Sequence, residues 1–170
     1  MQKKPKHQFE HQIFRTEFGW AGIVESAGIV LRVILPAESR EKILSEVKQY
    51  KSFPKAPDYK AGEIIHYFQG RQADFSGLKI QLDESRFSEE ILMTAAKLNL
   101  GQTVSYSQLA EMAGHKGKAR AAGRALASNP IPVIIPCHRV ISKDGSPGGF
   151  MAGSDNSLKL RMLRLEGIDI

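Results

Sequence analysis

Apolar and polar positions follow two periods along this chain, and the period changes near its middle. Residues 12–16 and 20–25 alternate in the manner of strands. Ser26-Ala27-Gly28 is a turn signal, and the β-branched run 29–35 reads as the second arm of a hairpin that Pro36 ends. Residues 38–50 place Ile43, Leu44 and Val47 at helical spacing. Residues 51–57, with Pro54 and Pro57, read as a loop. Asp58 then caps a helix over 59–69, with Ile64, Ile65 and Phe68 on one face and Gly70 as its stop. Residues 78–82 predict one more strand. This first part is a small α/β unit with no phosphate-binding glycine fingerprint.

Composition changes at Asp83-Glu84-Ser85, which divides the chain into an α/β domain, 1–84, and a helical domain, 85–170. Ser88 is expected to cap a helix reaching about Leu98, with Ile91, Leu92, Ala95 and Leu98 inward. Ser105-Tyr106-Ser107-Gln108 is a capping-box signature for a short helix to Ala113, stopped by Gly114. A second short helix runs over 118–128 and ends at Asn129-Pro130. Two short helices joined by a tight glycine-containing turn, after an earlier helix, predict a helix-turn-helix. Arg139 to Ile141 and the Asp144-Gly145 turn suggest a wing, and residues 157–165 a last amphipathic helix.

The second helix of that motif is built from small residues, Ala119, Ala121, Ala122, Gly123, Ala125 and Ala127, interrupted by Arg120, Arg124 and Leu126. Small side chains let a helix backbone approach another surface closely, either a neighbouring helix or a groove. Over residues 101–140 the bases Lys116, Lys118, Arg120, Arg124 and Arg139 stand against a single acid, Glu111, a balance that favours phosphates. The whole chain agrees, with a net charge of +6 over 170 residues. At 42% hydrophobic residues it can bury a core.

A single cysteine, Cys137, excludes an intrachain disulfide and a CxxC zinc site, and points to a reducing compartment. The five histidines show no ligand spacing, so no metal is expected. No apolar run is long enough for a bilayer, and the basic start Met1-Gln2-Lys3-Lys4-Pro5-Lys6 has no apolar segment after it and reads as a solvated tail.

Cys137 lies in Pro136-Cys137-His138-Arg139-Val140. A thiol is mostly neutral at neutral pH, so a nucleophilic cysteine needs a base. Adjacent side chains on a strand point apart, so His138 can serve only if the chain turns there or a water bridges the two groups. Several acids could orient the imidazole, Glu166 among them.

Pro136 to Val140, the preceding Asn129-Pro130, the later Gly148-Gly149-Phe150-Met151-Ala152-Gly153, and the earlier Val104-Ser105-Tyr106-Ser107-Gln108 and Ala119-Arg120-Ala121-Ala122-Gly123 resemble the methylated-DNA-protein-cysteine methyltransferases. The resemblance covers the second half, reaching Lys159 and Glu166-Gly167; the first half agrees only in layout. It implies a ribonuclease-H-like N-terminal domain and a winged helix-turn-helix that enters the minor groove of double-stranded DNA. It implies suicide transfer of an alkyl group from O6-alkylguanine, and from O4-alkylthymine, to Cys137, with the base rotated out of the duplex. His138 would take the thiol proton through a water, oriented by Glu166. Asn129 would brace the turn before the cysteine. Tyr106 would press on the nucleotide and donate to the base, and Arg120 would fill the vacated stack beside Ala119, Ala121 and Gly123.

The same resemblance assigns the pocket to Leu126, Pro132, Val140, Phe150, Met151, Ala152 and Lys159. Phe150 stands where a tyrosine is common, Met151 where some members have serine, and Ala152 replaces a common glycine, narrowing the pocket. Residues 154–156 lengthen the loop, and Ala127 lacks an arginine many members carry. The resemblance further implies a monomer without cofactor, in the cytoplasm and away from membranes. The alternative is a non-catalytic sensor of alkylated DNA; related non-repairing proteins lack the cysteine, which Cys137 argues against. A Cys-His hydrolase is a third reading and would turn over.

Overall fold

A computed structural model describes residues 8–151 and 156–170. The basic start, Ala152 and residues 154 and 155 of the lengthened loop lie outside the described residues. The chain divides into two compact units, Met1–Gln81 and Leu82–Ile170. Its content is mixed α/β. No described helix is long and apolar enough to cross a membrane.

The first unit opens with β1 (Phe9–Thr16), β2 (Gly19–Ser26) and β3 (Ile29–Ala37), an antiparallel meander. The hairpin expected from the pattern is thus two strands, β2 and β3, of a longer meander. Pro36 does not end β3, because β3 is an edge strand and a missing N–H costs nothing on the open side. α1 (Arg40–Lys48) follows, capped by Ser39, whose side chain accepts from the Lys42 N–H. β4 (Phe53–Pro54) lies inside the expected loop and pairs parallel with β1, giving the order β3-β2-β1-β4. α2 (Tyr59–Phe68) is capped by Asp58 as expected. The strand expected at 78–82 is absent: a single bridge, Val30 to Ile80, is all that forms.

β2 is buried on both faces, as a central strand must be when helices cover the sheet. On one face Val24 and Ile34 meet Ile43 and Val47 of α1, with Leu44 half-buried beside them. Gly22 permits that approach, since a Cβ there would stand 2.8 Å from Ile43 Cγ2. On the other face the buried Glu25 carboxylate meets Lys60 of α2 at 2.8 Å.

The second unit begins with α3 (Arg86–Ala95). Its cap is Ser85, not Ser88: the Ser85 hydroxyl accepts from the Ser88 N–H, so Ser88 is already inside the first turn, and the helix ends before Leu98. β5 (Val104–Ser105) leads into α4 (Tyr106–Met112), whose capping box joins Ser105 and Gln108 in both directions. α5 (Ala119–Ala127) packs on α3 and α4 through Ala122, Ala125 and Leu126. A 3-10 turn at Cys137–Arg139 runs into β6 (Val140–Ile141), which pairs in parallel with β5. α6 (Ser157–Leu165) closes the unit.

Candidate active site

Cys137 reaches the floor of a cleft of about 570 Å³ while remaining 4% exposed. One wall is a stripe of α5: Ala119, Arg120, Gly123, Arg124 and Ala127. This is the helix side opposite its buried alanines, and Arg120 and Arg124 are exposed along it. Tyr106 and Ser142 supply further lining, and the segment 148–151 forms the facing wall.

The 3-10 turn decides what Cys137 and His138 can do together. In a strand their side chains would diverge by half a turn; three residues per turn set them only about 120° apart. His138 is fully buried, and its Nε2 lies 2.7 Å from Glu166 Oε1. Arg139 grips the same carboxylate with two nitrogens, at 2.8 and 2.9 Å, and donates to the Leu98 carbonyl at 2.6 Å. Arg139 therefore is not one of the phosphate-facing bases that its sequence position suggested; it is buried as the partner of Glu166.

Burial works to raise the Glu166 pKa, but hydrogen bonds from His138 and Arg139 outweigh it and hold the carboxyl down at about 2. An ionised carboxylate only accepts, so the His138 proton sits on Nε2 and Nδ1 is the basic nitrogen. Burial, assisted by the positive charges of Arg139 and Lys159, lowers the His138 pKa and keeps the ring neutral. Burial pushes the Cys137 thiol up, against the opposing pull of an Asn129 hydrogen bond and the Lys159 charge. A neutral thiol followed in the same turn by a neutral, oriented imidazole is the chemistry from which a nucleophile can be made once the thiol proton is withdrawn.

Asn129 fixes the approach to the turn. Its Nδ2 donates to the Ile135 carbonyl at 2.9 Å, and its Oδ1 accepts from the Ile131 N–H at 3.0 Å. Between those two anchors Val133 is held at φ +76°, an unfavourable conformation for a β-branched residue that persists where the surroundings over-determine it.

Lys159 is fully buried and donates to the Val140 carbonyl at 2.6 Å. Burial lowers its pKa to about 8, with Cys137 acting in the opposite sense. Tyr106 turns its hydroxyl to the Gly149 carbonyl, at 3.1 Å.

Of the residues expected at the site, Cys137, Tyr106, Ala119, Arg120, Gly123, Leu126, Phe150 and Met151 line the cleft. Pro132, Val140 and Lys159 are buried and do not line it, and Ala121 is half-buried outside it. His138, Glu166 and Asn129 stand behind the cysteine as a hydrogen-bonded support. Ser142 and the clamp of Arg139 on Glu166 were not foreseen; an arginine directly after the Cys-His pair and a distant acid give no sequence signal of mutual contact.

Residues 86–168 match the family model described as 6-O-methylguanine DNA methyltransferase, DNA binding domain. The chain is 34% identical over 132 residues to the methylated-DNA–protein-cysteine methyltransferase of Methanothermobacter thermautotrophicus, a match covering 75% of this chain and 73% of that protein. It is 39% identical over 105 residues to the protein of the same description from Metallosphaera sedula, covering 62% of this chain and 64% of that one. The crystal structure of Mycobacterium tuberculosis OGT in complex with DNA superposes with a TM-score of 0.78 at 26% identity, covering 92% of each chain.

Proposed function

This chain belongs to the methylated-DNA–protein-cysteine methyltransferase family, and on that footing we propose that it repairs DNA by moving an alkyl group from O6-alkylguanine onto Cys137. The observation that carries the reading is the thiol at the cleft floor, backed by His138 on an ionised, arginine-clamped Glu166.

The thiol proton passes to His138 Nδ1 through a water. The thiolate attacks the alkyl carbon in line with its bond to O6. The S–C bond forms as the C–O bond breaks, the electron pair leaves with the guanine, and the guanine takes a proton at N1 from solvent while His138 returns the thiol proton to the water, restoring the neutral ring. The product is unmodified guanine and an S-alkyl cysteine. A thioether offers water no leaving group, and the chain has one cysteine, so each molecule reacts once. The thiol must stay reduced for this, which suits a reducing compartment.

DNA reaches the thiol along the small-residue stripe of α5, which we read as the recognition helix of a winged helix-turn-helix in the minor groove. Arg120 fills the stack vacated by the rotated base, and Arg124, Lys116 and Lys118 face phosphates. The order β3-β2-β1-β4 supports a ribonuclease-H-like reading of the first unit.

Incubation with duplex DNA containing O6-methylguanine should add one methyl mass to the peptide bearing Cys137, with DNA and protein consumed one for one. Cys137→Ala should still bind the duplex and gain no mass. A folded, reduced protein that binds the duplex without gaining the methyl group would instead be a sensor, and the transfer reading would fall.

A further inference from the structure

The first turn of α6 holds two consecutive carbonyls of the cleft wall. Asn156 Nδ2 donates to the Gly148 carbonyl at 2.5 Å, and Lys159 Nζ lies 3.4 Å from the Gly149 carbonyl. Both glycines line the cleft. Residues three apart share a helix face, so one side of α6 faces this wall twice.

Asn156 is the N-cap residue of α6, yet its side chain makes no capping bond. Asparagine at that position ordinarily accepts from an N–H of the first turn. Here Oδ1 is buried with no hydrogen-bond partner among the described residues. Both features disfavour α6 itself. What they secure is the position of Gly148.

That position is tight. Gly148 has φ +67°, and a Cβ on it would stand 2.9 Å from Ser142 Oγ and from two atoms of Tyr106, Cε2 and the hydroxyl. Tyr106 in turn donates to the Gly149 carbonyl. The place of the Gly148 peptide thus fixes the gap between Tyr106 and the wall that faces it. Lys159 is the weaker holder of this wall, because its short bond goes to the Val140 carbonyl instead.

We propose that Asn156 is a positioning residue that sets how large an O6-alkyl group the cleft admits, an inference that rests on the alkyl-transfer reading above. Its hydrogen bond keeps residues 148–151 against Tyr106. A small substituent is then confined for in-line attack, and a large one meets a closed wall.

Asn156→Asp separates this role from a structural one. Aspartate has the same shape, carries no donor for the Gly148 carbonyl, and is an equally good N-cap whose charge also suits the positive end of the helix dipole. Helix stability is kept while the wall is released. Asn156→Ser, a shorter capping residue, makes the same comparison should the aspartate variant not fold. The full chain and both variants are reacted with one duplex sequence carrying either O6-methylguanine or O6-benzylguanine, and alkylation of Cys137 is timed by mass.

With melting temperature unchanged or raised, the benzyl-to-methyl rate ratio should rise about threefold or more in the variants, and a smaller rise in a folded variant overturns the proposal. If the unsubstituted chain gains no alkyl group at all, the transfer reading fails. The latch is then judged by amide exchange at residues 149–151, which must quicken in the variants and overturns the latch if it does not.

Discussion

Glu166 is the residue on which the site's electrostatics turn. Its side chain is 1% exposed and receives His138, Arg139 and, at 3.3 Å, the Gly101 N–H. Glu166→Gln removes the charge and keeps the shape. The Arg139 guanidinium is then left buried opposite a neutral amide, and breaking a buried pair from one side costs about 3–5 kcal/mol. Urea unfolding should show a loss of that order, with slower alkyl transfer because the His138 tautomer is no longer dictated. The pH dependence has a definite sign. Glu166 sits at about 2 in the folded chain against an ordinary 4.5, so its contribution is complete above 4.5 and is lost as pH falls toward 2. His138 is also held below its ordinary 6.5, so acid must charge a buried ring, and its contribution begins to fade as pH drops below 6.5. The urea midpoint should therefore decline in two stages on acidification, and Glu166→Gln should shrink the second, which Glu25 and Asp58, also held below their ordinary values by Lys55 and Lys60, share.

Among the elements, α5 joins packing to access. Gly123 is a poor helix former at its centre, and a Cβ there would rest 3.6 Å from the Tyr106 ring, an ordinary contact. Gly123→Ala should therefore raise stability by up to about 1 kcal/mol with duplex binding retained. Gly123→Leu would fill the cleft stripe and should weaken duplex binding by about tenfold or more, near 1.4 kcal/mol, in a fluorescence titration. Elements with strong local signals were legible in the sequence: the capping box of α4, the span of α6, and Asp58 before α2. β4 was not, because two residues ending in a proline carry no period, and only its pairing with β1 defines it. Residues 78–82 have strand-like composition but find a single bridge, which no local pattern foretells. Ser85 and Ser88 compete as caps three residues apart, and the contest is settled by which hydroxyl meets which N–H. The cysteine and histidine were legible as residue types. Their usable geometry depends on a 3-10 turn, and the Arg139 and Asn156 contacts are tertiary, so pattern alone could not reveal them.

The molecule as a whole is sustained by more than its apolar core. In the first unit Lys60 and Lys55 both reach the fully buried Glu25, and both also reach Asp58, while Gln12 spans from Glu25 to the Asp58 N–H. The cluster ties β1 and β2 to α2. Lys60→Met should destabilise at the low end of about 3–5 kcal/mol, since Lys55 still faces the carboxylate, and adding Glu25→Gln should restore part of the loss in a double-mutant cycle. In the second unit another long separation is bridged. His138 takes its orientation from a carboxylate 28 residues further along. An unfolded or half-folded chain therefore carries only an ordinary, sluggish thiol. The oriented base appears when α6 has docked and brought Glu166 to Arg139. For the single-use cysteine proposed above, folding is thus also the safety catch: the thiol gains its oriented base only in the fold that also builds the cleft around it.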